Sequence, residues 1–254
     1  MFLNRFKRSD FILNVRNSID FRSVPIVLPK NETSYSISDA FCWRSCNNFN
    51  TDFRYTDLIN YFTHKKNNPI KLILSDHSNK IINKVYLNSD QLTDNIKIGN
   101  QLNKIKETSG HFFIFHKLLP KKNEPLVLRN SCYTSFSFKD NTPSIVHGNL
   151  PVVAEDKNSI SYKKNIIQYS NFKNYTYKVQ HNFLHYDRVE VFFFNPLNRA
   201  LKIQINEISF SLDKHNSLIK KLPLSEVYTI KSKCLLLRPI FFVYKNKFFD
   251  TFHG

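Results

Sequence analysis

Residues 201–212 read LKIQINEISFSL, and apolar and polar side chains alternate on either side of Asn206 and Glu207. Successive side chains of an extended strand point to opposite faces of a sheet, so each half of the stretch predicts a strand with one buried face. The polar residues 213–216 that follow are typical of a turn. The stretch therefore predicts β-structure.

Similar runs recur about every 8–12 residues along the chain, with polar turns between them. One pair of runs, 70–74 and 81–87, surrounds the polar residues 75–80 and predicts a β-hairpin. The other predicted strands cover residues 94–98, 111–116, 125–129, 133–138, 143–147, 175–183, 189–194, 227–230, 234–237, 240–244 and 248–252. This spacing predicts an all-β fold, which we interpret as an antiparallel β-sandwich or a jelly-roll-like variant of one.

We expect the chain to have two parts. Residues 1–35 form a short N-terminal arm that packs on the main domain, and residues 36–254 form a single β-sandwich domain with few short helices, one of them at 56–62. The polar stretch near 151–170 lacks apolar periodicity and predicts a long loop. No internal repeat of fixed length is found, which disfavours a propeller.

Glycine is scarce, with 4 residues among 254, and this excludes several classes of enzyme. A phosphate-binding loop needs closely spaced glycines so that backbone N–H groups can reach the phosphates, and no such motif can be drawn here. We therefore predict no cofactor. No apolar run approaches the roughly 18 residues that a membrane-spanning helix needs, so we expect no transmembrane segment.

The four cysteines are Cys42, Cys46, Cys132 and Cys234, and they lack the two paired spacings of a structural zinc site. No secretory signal is recognised near the N-terminus. We therefore expect reduced thiols and a cytoplasmic location.

The chain is strongly basic, with 37 Lys and Arg against 20 Asp and Glu, and a formal charge of +17. Such a charge favours a polyanionic partner such as nucleic acid. However, Lys, Asn, Ile and Phe all have AT-rich codons, so codon usage alone raises the lysine content. The lysines are also spread along the chain, in short clusters such as Lys65-Lys66 and Lys220-Lys221. Nucleic-acid binding is therefore a second alternative that rests on charge.

One group of residues suggests catalysis. His181 and His185 share a face if the strand is extended, and Glu190 and His147 add a carboxylate and a third imidazole. Histidines and a carboxylate on neighbouring strands resemble in kind the metal site of cupin-like barrels. The chain departs from that family in its H-x-x-x-H spacing and in lacking flanking glycines, so no metal ligand is assigned. The alternative function is thus a metal- or histidine-dependent enzyme that acts on a sugar-like substrate.

A second group of residues suggests binding. Polar side chains in apolar surroundings must find partners or line a site, and aromatic rings on a sheet face can stack on sugars. Gly148 predicts a positive φ or a close backbone approach in a chain with so few glycines. The candidate binding residues are Arg129, Asn130, Tyr133, His147, Asn149, Tyr177 and Arg238, and Trp43, Phe136 and Tyr175 are further aromatic candidates. The leading hypothesis is a non-catalytic binding or structural module that recognises carbohydrate or another polar polymer. The oligomeric state is not predicted.

Overall fold

The computed structural model describes residue 15 and residues 37–57, 70–87, 93–102, 108–115, 132–139, 141–154, 164–165, 170, 173–197, 199–234 and 237–254. The predicted arm at 1–35, most of the helix predicted at 56–62 and the strand predicted at 125–129 lie outside these residues. Short 3-10 helices occupy Ile98–Gln101 and Phe183–His185. No helix in the described part of the chain is both long enough and apolar enough to cross a membrane.

The described strands form four sheets, which we number as blades. Blade 1 has the strand order β10 (Lys164–Asn165), β9 (Asn149–Ala154), β1 (Ile37–Arg44), β6 (Ser109–Phe115), β3 (Ile70–Asp76) and β4 (Ile81–Leu87). Blade 2 has the order β5 (Thr93–Lys97), β2 (Phe49–Thr56), β7 (Cys132–Phe138) and β8 (Ser144–His147).

Blade 3 has the order β15 (Ser217–Leu222), β12 (Arg188–Phe194), β17 (Ile240–Lys245) and β18 (Phe248–His253). Blade 4 has the order β11 (Tyr175–Val179), β16 (Tyr228–Ser232), β13 (Leu201–Ile205) and β14 (Ile208–Leu212). Every pairing between described strands is antiparallel.

The predicted all-β class is confirmed, but the predicted β-sandwich or jelly-roll architecture is wrong. The four sheets are arranged as a four-bladed β-propeller. The absence of a sequence repeat was misleading because each blade combines one hairpin with strands from other parts of the chain. Blade 2, for example, pairs β2 with β7, and these strands are far apart in the chain.

The central strands are buried on both faces, so a sandwich of two sheets does not account for their packing. In β12, Val189, Val191 and Phe193 join the core between blades 3 and 4. Phe192 and Phe194, on the opposite face, join a second core shared by blades 1, 2 and 3. A third core lies between blades 1 and 2. Phe112, Phe115 and Phe192 to Phe194 are all buried in these cores.

Five strands form where the sequence did not predict them. β1 and β2 lie in the region before residue 57, β9 and β10 lie in the stretch predicted as a loop near 151–170, and β15 follows the turn after β14. The strand β15 has the burial order buried, three half-buried, exposed and buried, so it does not alternate cleanly. Period-two alternation therefore misses β15, whereas β2 does alternate between buried and more exposed residues, so its sequence carried the signal.

A buried ion pair joins three of the blades. Arg44 Nη1 of blade 1 donates hydrogen bonds to Glu190 Oε2 of blade 3 at 2.7 Å and to Tyr244 Oη at 3.1 Å. Tyr244 Oη donates to the same carboxylate oxygen at 2.7 Å. The guanidinium also lies over the ring of Phe49 of blade 2, 4.0 Å from its centroid. The side chain of Arg44 is 2% exposed and that of Glu190 is 14% exposed.

The two charges depend on each other because both are removed from water. Burial works against the charged form of Glu190, but Arg44 and the hydrogen bond from Tyr244 outweigh it and lower the pKa of Glu190 below its usual value. Burial likewise opposes the charge on Arg44, and Tyr244 and Glu190 together raise its pKa. The pair therefore stays ionised in the interior, which is stable only while both partners are present.

Replacing Glu190 with Gln should destabilise the chain by about 3 kcal/mol or more, because Arg44 keeps a buried charge without a counter-charge. Urea denaturation measures the change in the free energy of unfolding. The matched control is Asp187→Asn, since the Asp187 side chain is 53% exposed and its ion pair with Lys245 spans 3.6 Å in solvent. Combining Glu190→Gln with Arg44→Met should restore part of the stability, and no restoration would contradict the charge argument.

Two glycines lie where strands approach closely. A Cβ on Gly110 of β6 would lie 2.2 Å from the backbone oxygen of Ser75 and 2.8 Å from Trp43 Nε1, whose N–H donates to that same oxygen. A Cβ on Gly148 would lie 2.4 Å from Asp39 Cβ. The close approach predicted for Gly148 is confirmed, and the alternative of a positive φ is wrong.

Gly110→Ala should destabilise the chain by about 2 kcal/mol, because the added methyl meets backbone atoms that cannot rotate away. Gly99→Ala is the control, since nothing lies within 4 Å of the added Cβ there. Chemical denaturation of the two variants compares them directly. Equal stability of the two variants would show that the strands at Gly110 can separate at little cost.

Candidate functional site

The outer face of blade 4 carries a line of lysines. Lys178 on β11, Lys231 on β16 and Lys202 on β13 are all exposed and point away from the core. We call these three residues the lysine ladder. No ion pair within the described residues engages any of them, so their charges face solvent.

The pairing of the strands sets the spacing of the lysine ladder. Lys178 pairs with Thr229, two residues before Lys231 on the same strand. Lys231 pairs with Gln204 on its other side, two residues after Lys202. Each lysine is therefore the diagonal neighbour of the next, and such neighbours lie about 7–8 Å apart between Cα atoms. The ladder crosses three strands in one direction.

The rest of this face is polar and carries no carboxylate. The alternate positions of the four strands place small hydroxyl or amide side chains between the lysines: Thr176, Gln204, Ser209, Ser211 and Thr229. The nearest acidic residues along the chain, Glu207, Asp213 and Glu226, lie outside the strands, in the connections at their ends. The face thus offers positive charge and hydrogen-bond donors together.

The opposite face of blade 4 holds the ladder in place. Residues that alternate with the lysines, including Ile203, Ile205 and Ile230, are buried against blade 3. A slip of one residue in the register would put the lysines into that core and the isoleucines into water. The lysine backbones are therefore fixed by packing, although the side chains remain free to reach a partner.

The catalytic candidates each have partners of their own. His181 Nε2 lies 2.7 Å from Tyr186 Oη, and His147 is exposed on β8. His185 lies on the second 3-10 helix, where its Nε2 is 3.4 Å from Asn182 Nδ2. Glu190 belongs to the buried pair with Arg44. Among the described residues, no three His, Cys, Asp or Glu side chains come together as a group that could hold a metal ion.

The binding candidates are spread over several places. Arg129 and Asn130 lie outside the described residues, and Asn149 pairs with Ala40 at the start of β9. Tyr133 is half-buried on β7 opposite His147. Tyr177 is half-buried and its hydroxyl donates a hydrogen bond to the Leu237 carbonyl. The further candidates Trp43 and Phe136 are fully buried, so their predicted exposure is wrong.

Two binding candidates do come together at the seam between blades 2 and 3. His147 and Arg238 both act on His253. Burial, with Arg238 and His147 nearby, lowers the pKa of His253 to about 4. The seam itself is joined by Ser144 Oγ, which donates to Asp250 Oδ1 at 2.6 Å and accepts from the Thr251 amide at 2.9 Å.

The four cysteines are free thiols. Cys42 and Cys234 are buried, and burial raises the pKa of Cys234 to about 12, which keeps this thiol protonated and unreactive. Comparison with known proteins adds no family to this geometry, since no protein-family model matches the chain and no curated protein sequence matches it.

The buried His253 should make stability depend on pH. Its pKa is about 4 when folded against about 6.5 in an unfolded chain, so the unfolded state binds a proton first as the pH falls. The free energy of unfolding should therefore fall by up to about 3 kcal/mol between pH 6.5 and pH 4 through this residue. His253→Gln should flatten the pH profile, measured by urea denaturation. His185→Gln, at an exposed position, should leave the slope unchanged, and a slope retained by His253→Gln would refute the assignment.

Proposed function

We propose that this chain is a non-catalytic binding module that recognises the phosphodiester backbone of nucleic acid through the lysine ladder. The observation that carries the proposal is a sheet face fixed by packing, with three lysines in a line and no carboxylate at the outward positions of its strands. No ion pair within the described residues engages these three lysines. This proposal takes up the second alternative, nucleic-acid binding, and it places three of the chain's 37 Lys and Arg residues together on one face.

The chemistry of the face suits phosphate groups. Lysines that neutralise phosphates release condensed counterions, which drives binding that is independent of base sequence. Hydroxyl and amide side chains such as Thr176, Thr229 and Gln204 add hydrogen bonds to phosphate oxygens. The outer positions of the four strands carry no aromatic ring for bases to stack on. We therefore expect backbone recognition with a dissociation constant of about 10⁻⁴ to 10⁻⁶ M at physiological salt.

The other two hypotheses have less support from the described residues. Sugar recognition by stacking needs exposed rings beside hydrogen-bonding side chains, and two of the rings considered for it are buried while Tyr177 is tied to Leu237. The enzyme hypothesis relied on His147, His181, His185 and Glu190 acting together, and each has a separate set of neighbours. Carbohydrate binding and catalysis both stay predictions, as does the cytoplasmic location.

Charge reversal on the ladder should abolish most nucleic-acid binding. Lys178→Glu, Lys202→Glu and Lys231→Glu are combined in one variant, and binding to a fluorescent random-sequence duplex is measured by anisotropy between 50 and 200 mM salt. Affinity should fall by about tenfold or more, and the slope of log K against log salt should lose about 2 to 3 units as three phosphate contacts disappear.

The matched control reverses one exposed lysine on each of the other blades, Lys84, Lys97 and Lys247. Each lysine-to-glutamate change removes two charges, so both triple variants lower the formal charge from +17 to +11. The control should retain most of its affinity. Equal losses in both variants would refute the ladder as a site. Tighter binding of a sulfated polysaccharide than of duplex at equal charge concentration would refute nucleic acid as the partner.

A further inference from the structure

An open cavity lies where blade 1 meets the connections of blades 3 and 4. Its volume is about 940 Å³, which falls within the range of small-molecule sites. One wall is the turn of the β3–β4 hairpin, and the other is formed by the residues before β13 and the turn between β14 and β15. The lining residues are Ser78, Asn79, Arg199, Ala200, Asp213, Lys214, His215 and Asn216.

A single buried amide organises the wall that blades 3 and 4 contribute. Asn195 is fully buried, and its Nδ2 donates to the carbonyls of Arg199, Leu212 and Asp213 at 2.8 to 2.9 Å. Its Oδ1 accepts from the Leu197 amide at 2.9 Å. These bonds tie the segment before β13 to the end of β14. The backbones that present Arg199 and Asp213 are therefore held at fixed positions.

The opposite wall is equally ordered. Asp76 Oδ1 accepts hydrogen bonds from the amides of Ser78 and Lys80, both at 2.9 Å, which shapes the hairpin turn. The buried His111 ring lies between this turn and blade 3, with Nε2 at 3.3 Å from Asn79 Oδ1 and Nδ1 at 3.1 Å from Ser217 Oγ. The backbone amide of Ser217 donates a hydrogen bond to the His77 carbonyl at 2.9 Å, which joins the hairpin turn to the start of β15. The cavity is thus preformed.

The lining combines two cations, one carboxylate and several neutral hydrogen-bonding groups. Arg199 and Lys214 bring two positive charges to the rim, and Asp213 brings one negative charge. An arginine fork and a lysine point charge are the usual donors to phosphate. A carboxylate beside them repels a bare anion but accepts hydrogen bonds from hydroxyl groups. Ser78, Asn79 and Asn216 can serve either part of such a ligand.

We propose that this cavity binds a phosphomonoester on a hydroxyl-bearing ligand, with Arg199 and Lys214 on the phosphate and Asp213 on a hydroxyl group. The phosphomonoester can belong to a free nucleotide or to the phosphorylated end of a nucleic-acid strand. The second source fits the location, because Arg199 and Asp213 flank the ends of β13 and β14 from which Lys202 and Ser211 project. The site does not depend on the lysine ladder, so each can fail alone.

Isothermal titration of the full chain with adenosine monophosphate tests the cavity directly. We expect saturable binding, at least tenfold weaker binding of adenosine, and weaker binding of inorganic phosphate because it lacks the sugar hydroxyls. Arg199→Gln and Lys214→Gln should each weaken the nucleotide about tenfold. Both substitutions leave in place the backbone groups that Asn195 and His111 support, and a thermal melt confirms folding. Lys97→Gln is the matched control, since this exposed lysine lies on blade 2, which contributes no residue to the cavity lining.

A second experiment distinguishes the free nucleotide from the phosphorylated strand end as the source of the phosphate. Oligonucleotides with a 5′-phosphate, a 3′-phosphate or two hydroxyl ends are compared by anisotropy. A preference for a phosphorylated end that Arg199→Gln removes would identify the strand end, and equal binding of all three with intact nucleotide binding would identify the free nucleotide. The proposal is overturned if neither adenosine monophosphate nor a phosphorylated end gains affinity, or if adenosine binds as tightly as its monophosphate. Loss of duplex binding with intact nucleotide binding would refute the ladder alone.

Discussion

The pairing of Arg44 with Glu190 is the constraint on which the assembly of the blades depends. An ionised guanidinium at 2% exposure is tolerable only when a carboxylate and a phenol lie at hydrogen-bonding distance. These partners come from blade 3, while Phe49 of blade 2 covers the guanidinium face. The three blades must therefore meet at one point before the charge is satisfied. Apolar packing around this point is extensive, and it lacks the directional requirement that the ion pair imposes.

Local patterns predicted most of the individual strands, and they fail at the level of sheets. The alternation of residues 201–212 correctly indicated β13 and β14 because it records which face of a strand is buried. This alternation does not indicate how many sheets pack together in the core. The continuous apolar run at 191–194 was the available signal for a strand covered on both faces, and it argues against two layers. Pairings such as β2 with β7 depend on distant contacts that period-two analysis cannot register.

The candidate site shows the same division. The sequence indicates that Lys202 and Lys178 each lie on the polar side of their strand. Their alignment with Lys231 requires the pairing of β11, β16 and β13, which local sequence does not contain. For Glu190 the local sequence was misleading. This carboxylate lies near two histidines in the sequence, but its ion-pair partner Arg44 is 146 residues away. The cavity wall depends on Asn195, a polar residue in apolar surroundings, and two of its three carbonyl partners lie 17 and 18 residues further along the chain.

Blades 1 and 3 supply side chains to two cores each, whereas blade 4 packs through one face. The backbone of β12 or β17 becomes exposed only if the blades on both sides separate from it and the ion pair between Arg44 and Glu190 breaks. The amide protons of these strands should therefore exchange with deuterium only through global unfolding, while β14, at the margin of blade 4, exchanges through small local openings. Binding at the surface of blade 4 can thus alter local motion there without loosening the centre of the molecule.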